Sequence, residues 1–233
     1  MIPLDKLLIS FKENNYMRRN LLLASLLALP LLASPSLAQD RGYTLGIVGG
    51  ANFPSTDVDA RTLQTGTSDS TGIAIGVHAE GRLGRNWTFV SQILYVQRKT
   101  EVTFAAVQGQ PETRTTYTLD FLEVPYHLKY SFGMGRAVQP YLFGGGSVGY
   151  RLSANGEHVT SGRPTFDQSE SNTFDKVNWA LEAGGGLSFR AGDNTFILGD
   201  VRYVYGLTNM ATQDGDSWKT RDVRVMVGVL WGL

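Results

Sequence analysis

The chain has 233 residues and balanced charge, 21 basic against 21 acidic, so its net charge offers no pull toward nucleic acid. It has no cysteine, which removes disulfides, thiolate metal sites, cysteine nucleophiles and a lipoprotein anchor. Glycine reaches 27 residues and aromatics 11%, a composition suited to curved, tyrosine-rich β structure.

The first segment reads as an export signal. Met17-Arg18-Arg19-Asn20 is a basic opening, Leu21 to Ala33 is apolar, and Ser36-Leu37-Ala38 is a small-x-small cleavage site. Residues 1–38 are therefore expected to be a signal peptide, with translation starting at Met17 and residues 39–233 forming the mature domain. The apolar run is too short and wrongly flanked to span a bilayer as a helix. Its removal takes Lys6, Lys12, Arg18 and Arg19 together with Asp5 and Glu13, so the mature domain stays near neutral.

Period-two alternation predicts eight strands after this point. The first runs over 42–53, with Tyr43, Leu45, Ile47 and Phe53 on one face. A polar loop over 54–70 precedes the second strand, 71–83, where Ile73, Ile75 and Val77 oppose His78, Glu80 and Arg82. After a tight turn at Gly84 to Asn86, strand three covers 87–98. It alternates poorly, because Leu94 and Val96 share a face with Gln92. A second polar loop is expected over 99–116, with Val102 to Phe104 able to prolong strand three. Strand four, 119–132, is the clearest: Leu122, Val124, Tyr126, Leu128, Tyr130 and Phe132 oppose Glu123, His127 and Lys129. Pro125 in its middle lacks a ladder donor, so a bulge is expected there.

Strand five covers 139–152 and is followed by the longest loop, 153–175. Strand six covers 177–190, and Ala191 to Asn194 forms a hairpin turn. Strand seven covers 195–207, a fourth loop spans 208–220, and strand eight covers 221–233. Its Val223, Val225, Val227, Val229 and Trp231 oppose Asp222, Arg224 and Met226. Long and short connections alternate strictly, and each strand reaches the roughly 9–11 residues that cross a bilayer at a tilt. The fold class expected is all-β, an eight-stranded antiparallel up-and-down transmembrane β-barrel with short periplasmic turns and long external loops. Two aromatic girdles are expected. Trp87, Phe132, Tyr141, Phe189, Phe196 and Trp231 lie near the short turns, and Phe53, Tyr117, Tyr150, Trp179 and Tyr205 near the long loops.

Four segments carry a resemblance. They are Gly49-Gly50-Ala51-Asn52-Phe53, Phe121 to Tyr126 with Leu128-Lys129-Tyr130, Pro140 to Gly146, and Arg202 to Asn209. Together they resemble the outer-membrane β-barrel domain family that includes PorT-like proteins, over most of residues 42–233. The resemblance implies an eight-stranded barrel in the cell outer membrane and no shared catalytic residues. Such barrels end on an aromatic residue that the assembly machinery reads, whereas here Trp231 is followed by Leu233.

The inward faces carry Glu80, Arg82, Glu123, Lys129, Glu182, Arg190, Asp200, Arg202, Asp222 and Arg224, with His78 and His127. A barrel this narrow is filled by its own side chains, so these are expected to pair as an internal ionic network. Gly144 to Gly146 and Gly184 to Gly186, on neighbouring strands, are expected to allow sharp curvature.

A serine-hydrolase arrangement would need a hydroxyl beside a histidine and an acid. His78 has Glu80 but no hydroxyl neighbour, His127 has Glu123 and Lys129, and His158 lies near Thr160 and Ser161 in the longest loop. No catalytic, cofactor or metal residues are assigned. Glu157, Asp167, Glu170 and Asp175, or Asp214 to Asp216, would hold a calcium ion only loosely.

The function expected is a non-enzymatic outer-membrane barrel with a structural or surface-interaction role. A lipid-modifying hydrolase is the alternative, and a narrow channel or secretion-associated component comes after it. Expected partners are outer-membrane lipids and lipopolysaccharide, the barrel assembly machinery, and an external ligand or protein at loops 54–70, 99–116, 153–175 and 208–220. Nucleic acid is not among them.

Overall fold

The computed structural model describes residues 42–59, 64–104, 113–133, 135–160, 163–169, 176–208 and 217–233. The signal-peptide expectation on 1–38 lies outside them, as do Ser161, Glu170, Asp175 and Asp214 to Asp216 and the side chains of His158, Thr160 and Asp167.

The described strands are β1 (Tyr43–Asp59), β2 (Gln64–Ser70), β3 (Gly72–Arg82), β4 (Trp87–Phe104), β5 (Thr113–Ser131), β6 (Val138–Thr160), β7 (Arg163–Ser169), β8 (Val177–Arg190), β9 (Thr195–Gly206) and β10 (Ser217–Gly232). All pairings are antiparallel. The sequence β1-β3-β4-β5-β6-β8-β9-β10 closes on itself when β10 pairs with β1, from Thr44↔Gly232 to Asp59↔Ser217. This is the closed eight-stranded barrel expected from the alternation. Closure leaves the wall without a free sheet edge, so its backbone groups pair between strands as a surround without water requires.

The barrel is apolar outside and ionic inside. Ile47, Ile75, Leu142 and Val227 are more than half exposed, whereas Asp222 and Arg224 are fully buried. An apolar belt running round a whole molecule is untenable in water and is what a lipid surround selects.

The polar segments read as loops are largely ladder. β4 and β5 stay paired up to Phe104↔Thr113, which includes the expected extension through Phe104. β2 lies against β4, β7 lies against β6, and β1 stays with β10 up to Asp59. Beyond the membrane the outward face meets water, and the inward face stays buried but accepts threonine (Thr100, Thr115, Thr220) as readily as apolar residues, so polar side chains on both faces do not break the strand. Past Asn52↔Gly72 the first hairpin parts: β1 continues along β10 while β2 continues along β4.

The bulge lies elsewhere than expected. Pro125 pairs in register with Ser147. On its β4 side the ladder omits Val124 and Pro125 between Tyr126↔Ser91 and Glu123↔Leu94 without changing register. The missing donor is thus absorbed by a gap in hydrogen bonding. The shift occurs where Phe121 pairs with Arg151 and Asp120 with Ser153, leaving Leu152 as the extra residue.

Candidate functional site in the barrel lumen

Strand parity places the ionic residues inside. Every second residue points to the axis, and seven of the eight wall strands contribute a charged side chain, β1 contributing Asn52 instead. Two clusters result.

The cluster nearer the long connections is a closed ring. Arg98 lies 2.8 Å from Glu123 and 2.7 Å from Asp222, and Arg224 lies 2.7 Å from Glu123 and 3.3 Å from Asp222. Two cations and two carboxylates alternate, so each charge has two opposite neighbours. Asn52 extends the ring: its Oδ1 accepts from Arg224 Nε at 2.9 Å, and its Nδ2 donates to the Gln97 carbonyl at 3.3 Å. Charges this deeply buried need such pairing, because an unpaired one would be costly to desolvate.

The cluster nearer the short turns is an open chain. Arg202 donates to Asp200 at 2.9 Å and to Gln92 Oε1 at 2.8 Å. Arg202 can only donate, so Gln92 turns its oxygen to it and its Nε2 to His78 Nδ1, at 2.6 Å. His78 therefore accepts at Nδ1, and its Nε2–H points at Glu80, 2.8 Å away. Glu80 also takes Lys129. A branch joins Arg202 to Glu182 at 3.8 Å and Glu182 to His127 at 3.0 Å. Tyr141 donates to Asp200 at 3.3 Å, and the Lys129 ammonium stands 5.1 Å above the Tyr141 ring.

Apolar groups fill the rest. Val48, Ala74, Leu94, Val96, Leu198, Met226 and Leu230 pack together on the lumen side of β1, β3, β4, β9 and β10. This explains the poor alternation of the third predicted strand: Leu94 and Val96 are lumen core. Opposite them the rings of Phe143 and Tyr141 lie across glycines. A Cβ at Gly184 would come 2.6 Å from Phe143, and one at Gly186 would come 2.7 Å from the Tyr141 hydroxyl. These two glycines make room for lumen rings.

Small spaces lie between these groups among the described residues. A void of about 10 Å³ between His78, Gln92, His127 and Arg202 has room for roughly one water. A vestibule of about 60 Å³ opens at the short-turn end, lined by Glu80, Arg82, Thr88, Lys129, Ser131 and Gln139 among others.

All the predicted inward residues face the lumen, with Arg82 and Arg190 at its short-turn rim. Arg190 stands 5.5 Å over the Phe196 ring. Arg98, Asn52 and Tyr141 were not among them. Three aromatic positions are corrected. Tyr141 and Phe196 point inward, and Tyr117 packs with Leu119, Phe121 and Ala154 inside the wall. Trp87, Phe132, Phe189 and Trp231 do face outward at one end, and Phe53, Tyr150, Trp179 and Tyr205 at the other. His78 and His127 both bond to carboxylates, but His127 reaches over Gly145 to Glu182, two strands along the wall, rather than to Glu123 on its own strand.

A closed antiparallel barrel with a lipid-compatible wall and an ionic interior defines an integral outer-membrane barrel. Residues 37–212 match the outer membrane protein beta-barrel domain, and the chain belongs to that family and to the cell outer membrane. The match is to the barrel domain as such and does not extend to the PorT-like name. The fold is similar to the outer membrane protein OprG from Pseudomonas aeruginosa, at 16% identity over 82% of this chain and 96% of that one, with a TM-score of 0.52. Neisserial surface protein A is matched at 16% identity over 82% and 96%, with a TM-score of 0.45. Ail of Yersinia pestis, solved with the heparin analogue sucrose octasulfate, is matched at 16% over 83% and 99%, with a TM-score of 0.43. No curated protein sequence matches the chain.

Proposed function

We propose that this barrel is non-enzymatic, with a sealed lumen, and that it serves envelope structure and surface interaction through its strand extensions. One observation carries this reading: the ionic ring and the Arg202 chain tie opposite walls together across the axis. Arg98 and Asp222 are 124 residues apart in sequence and 2.7 Å apart in space. A lumen crossed by paired charges leaves no continuous water path.

Both described histidine side chains are engaged in this framework. His78 is held between Gln92 and Glu80, and His127 is held by Glu182, so neither is aimed at a hydroxyl nucleophile. The segments 54–70, 99–116, 153–175 and 208–220 are the proposed contact regions, and their described parts prolong the barrel strands at the long-connection end, where recognition is commonly built. The partners proposed for this end are outer-leaflet lipid, lipopolysaccharide and an external protein or ligand. The assembly machinery is the proposed partner during insertion.

Planar-bilayer recording of the purified barrel tests the sealed lumen. The expected result is no steady single-channel conductance; large, long-lived open steps would overturn it. Replacing His78 and His127 by Gln is expected to leave any lipid-hydrolysis background unchanged. A hydrolysis that the wild type performs and this variant loses would instead support the hydrolase.

A further inference from the structure

On the outer wall, a carboxylate sits where lipid is expected. Asp120 points outward from β5 and is half-buried. It accepts from the Tyr95 hydroxyl at 2.8 Å, Gln97 Nε2 at 3.2 Å and Ser153 Oγ at 2.6 Å. Gln97, Asp120 and Ser153 are direct cross-strand neighbours on β4, β5 and β6. The Leu152 bulge is what brings Ser153 opposite Asp120. The row beneath is Tyr95, Leu122 and Tyr150, and the row above is Lys99, Thr118 and Asn155.

The height of this row can be read from the register. Trp87 pairs with Tyr130 at the short-turn end and Gln97 with Asp120, ten residue steps up both strands. At about 3.3 Å per residue and a tilt of about 40°, that is roughly 25 Å of vertical rise, the height of the apolar band of such barrels. The polar row therefore sits on the upper edge of the belt, against the headgroups of the outer leaflet.

Resting on the outer-leaflet lipopolysaccharide contact proposed above, we propose that Tyr95, Gln97, Asp120 and Ser153 form a binding site for the saccharide headgroup of an outer-leaflet glycolipid of the lipopolysaccharide type. The position fixes the occupant as a membrane lipid, and the chemistry selects its headgroup. A carboxylate takes hydrogen-bond donors and repels phosphate. The Lys99 row immediately above disfavours an ammonium group. Amide and hydroxyl groups that both donate and accept, at Gln97, Thr118, Ser153 and Asn155, match sugar hydroxyls, which do the same. The Tyr95 and Tyr150 rings below offer apolar faces to the sugar ring. Asp120 uses three acceptor positions of about four, so it retains capacity for a ligand donor.

The test uses the mature barrel in dodecyl maltoside micelles, with the unfolding temperature read from heat-modifiable gel mobility. Purified rough lipopolysaccharide is expected to raise that temperature by several degrees in the wild type, while phosphatidylcholine, which has no donor in its headgroup, does not. The Asp120→Ala/Ser153→Ala variant, which loses three cross-strand hydrogen bonds, is expected to have a lower midpoint in plain micelles, and measured from that midpoint the rise is expected to fall by at least half. Should the double variant fail to fold, Tyr95→Phe and Ser153→Ala singly are expected to reduce the rise by smaller amounts. An undiminished rise in the variants overturns the proposal. A rise of equal size with phosphatidylethanolamine overturns the saccharide assignment and points to an ammonium headgroup.

Discussion

The two ionic clusters differ in how they are closed. The Arg98–Glu123–Arg224–Asp222 ring is a cycle in which every member touches two partners of opposite charge. The chain through Arg202, Gln92, His78 and Glu80 is linear and ends at Lys129, beside the water of the vestibule. Closure makes each ring member hard to remove, since its loss leaves a buried charge without compensation. A linear chain that reaches water can be shortened from its wet end at little cost.

The sharpest way to break this contrast is Arg224→Met. It leaves Glu123 and Asp222 sharing Arg98 alone, and is expected to destabilise the barrel by about 3–5 kcal/mol. Urea unfolding in lipid vesicles measures this. Replacing all four ring members by apolar residues of similar volume is expected to restore most of that loss, because no charge is left stranded.

Arg202→Met should follow at about 3 kcal/mol, since it frees Gln92 and leaves Asp200 with Tyr141 as its remaining donor. Gly184→Ala tests the close approach of wall and ring. A methyl there meets the Val201 carbonyl oxygen as well as Phe143 and is expected to destabilise by about 2 kcal/mol, of which Phe143→Leu in the same chain should relieve only the ring's share. Lys129→Met is the smallest, about 1 kcal/mol, because Glu80 stays in contact with vestibule water and His78. A Lys129 effect as large as that of Arg224 would erase the distinction between the clusters.

The barrel was legible in the sequence because lipid outside and charge inside impose period two on every wall strand. Asp222, Arg224 and Met226 declare the lumen face of β10 by alternating with four valines. The pairing inside was not legible. Arg98 meets Asp222 only through closure of the barrel, and neither local spacing nor propensity encodes a contact across 124 residues. Nearness to strand ends suggests girdle positions for Tyr141 and Tyr117. Parity with Phe143, and with Leu119 and Phe121, sends them inward, and parity is the stronger signal. The polar segments read as loops because patterning reports apolar residues on a buried face, and beyond the bilayer the outward face meets water while the buried inward face carries threonines such as Thr100, Thr115 and Thr220. The Asp120 cluster escaped notice for a related reason. The Leu152 bulge that aims Ser153 at Asp120 has no Gly or Pro to mark it.

The absence of cysteine makes the central claim directly measurable, because a single introduced cysteine is a unique label. Spin labels at Val227→Cys, Ile75→Cys and Leu142→Cys, in reconstituted vesicles, report whether the wall meets lipid or water. Preferential relaxation by oxygen over a water-soluble nickel chelate is predicted at all three, since each side chain points out of the barrel within the apolar belt. Preferential relaxation by the nickel chelate would place water against the wall and contradict the account.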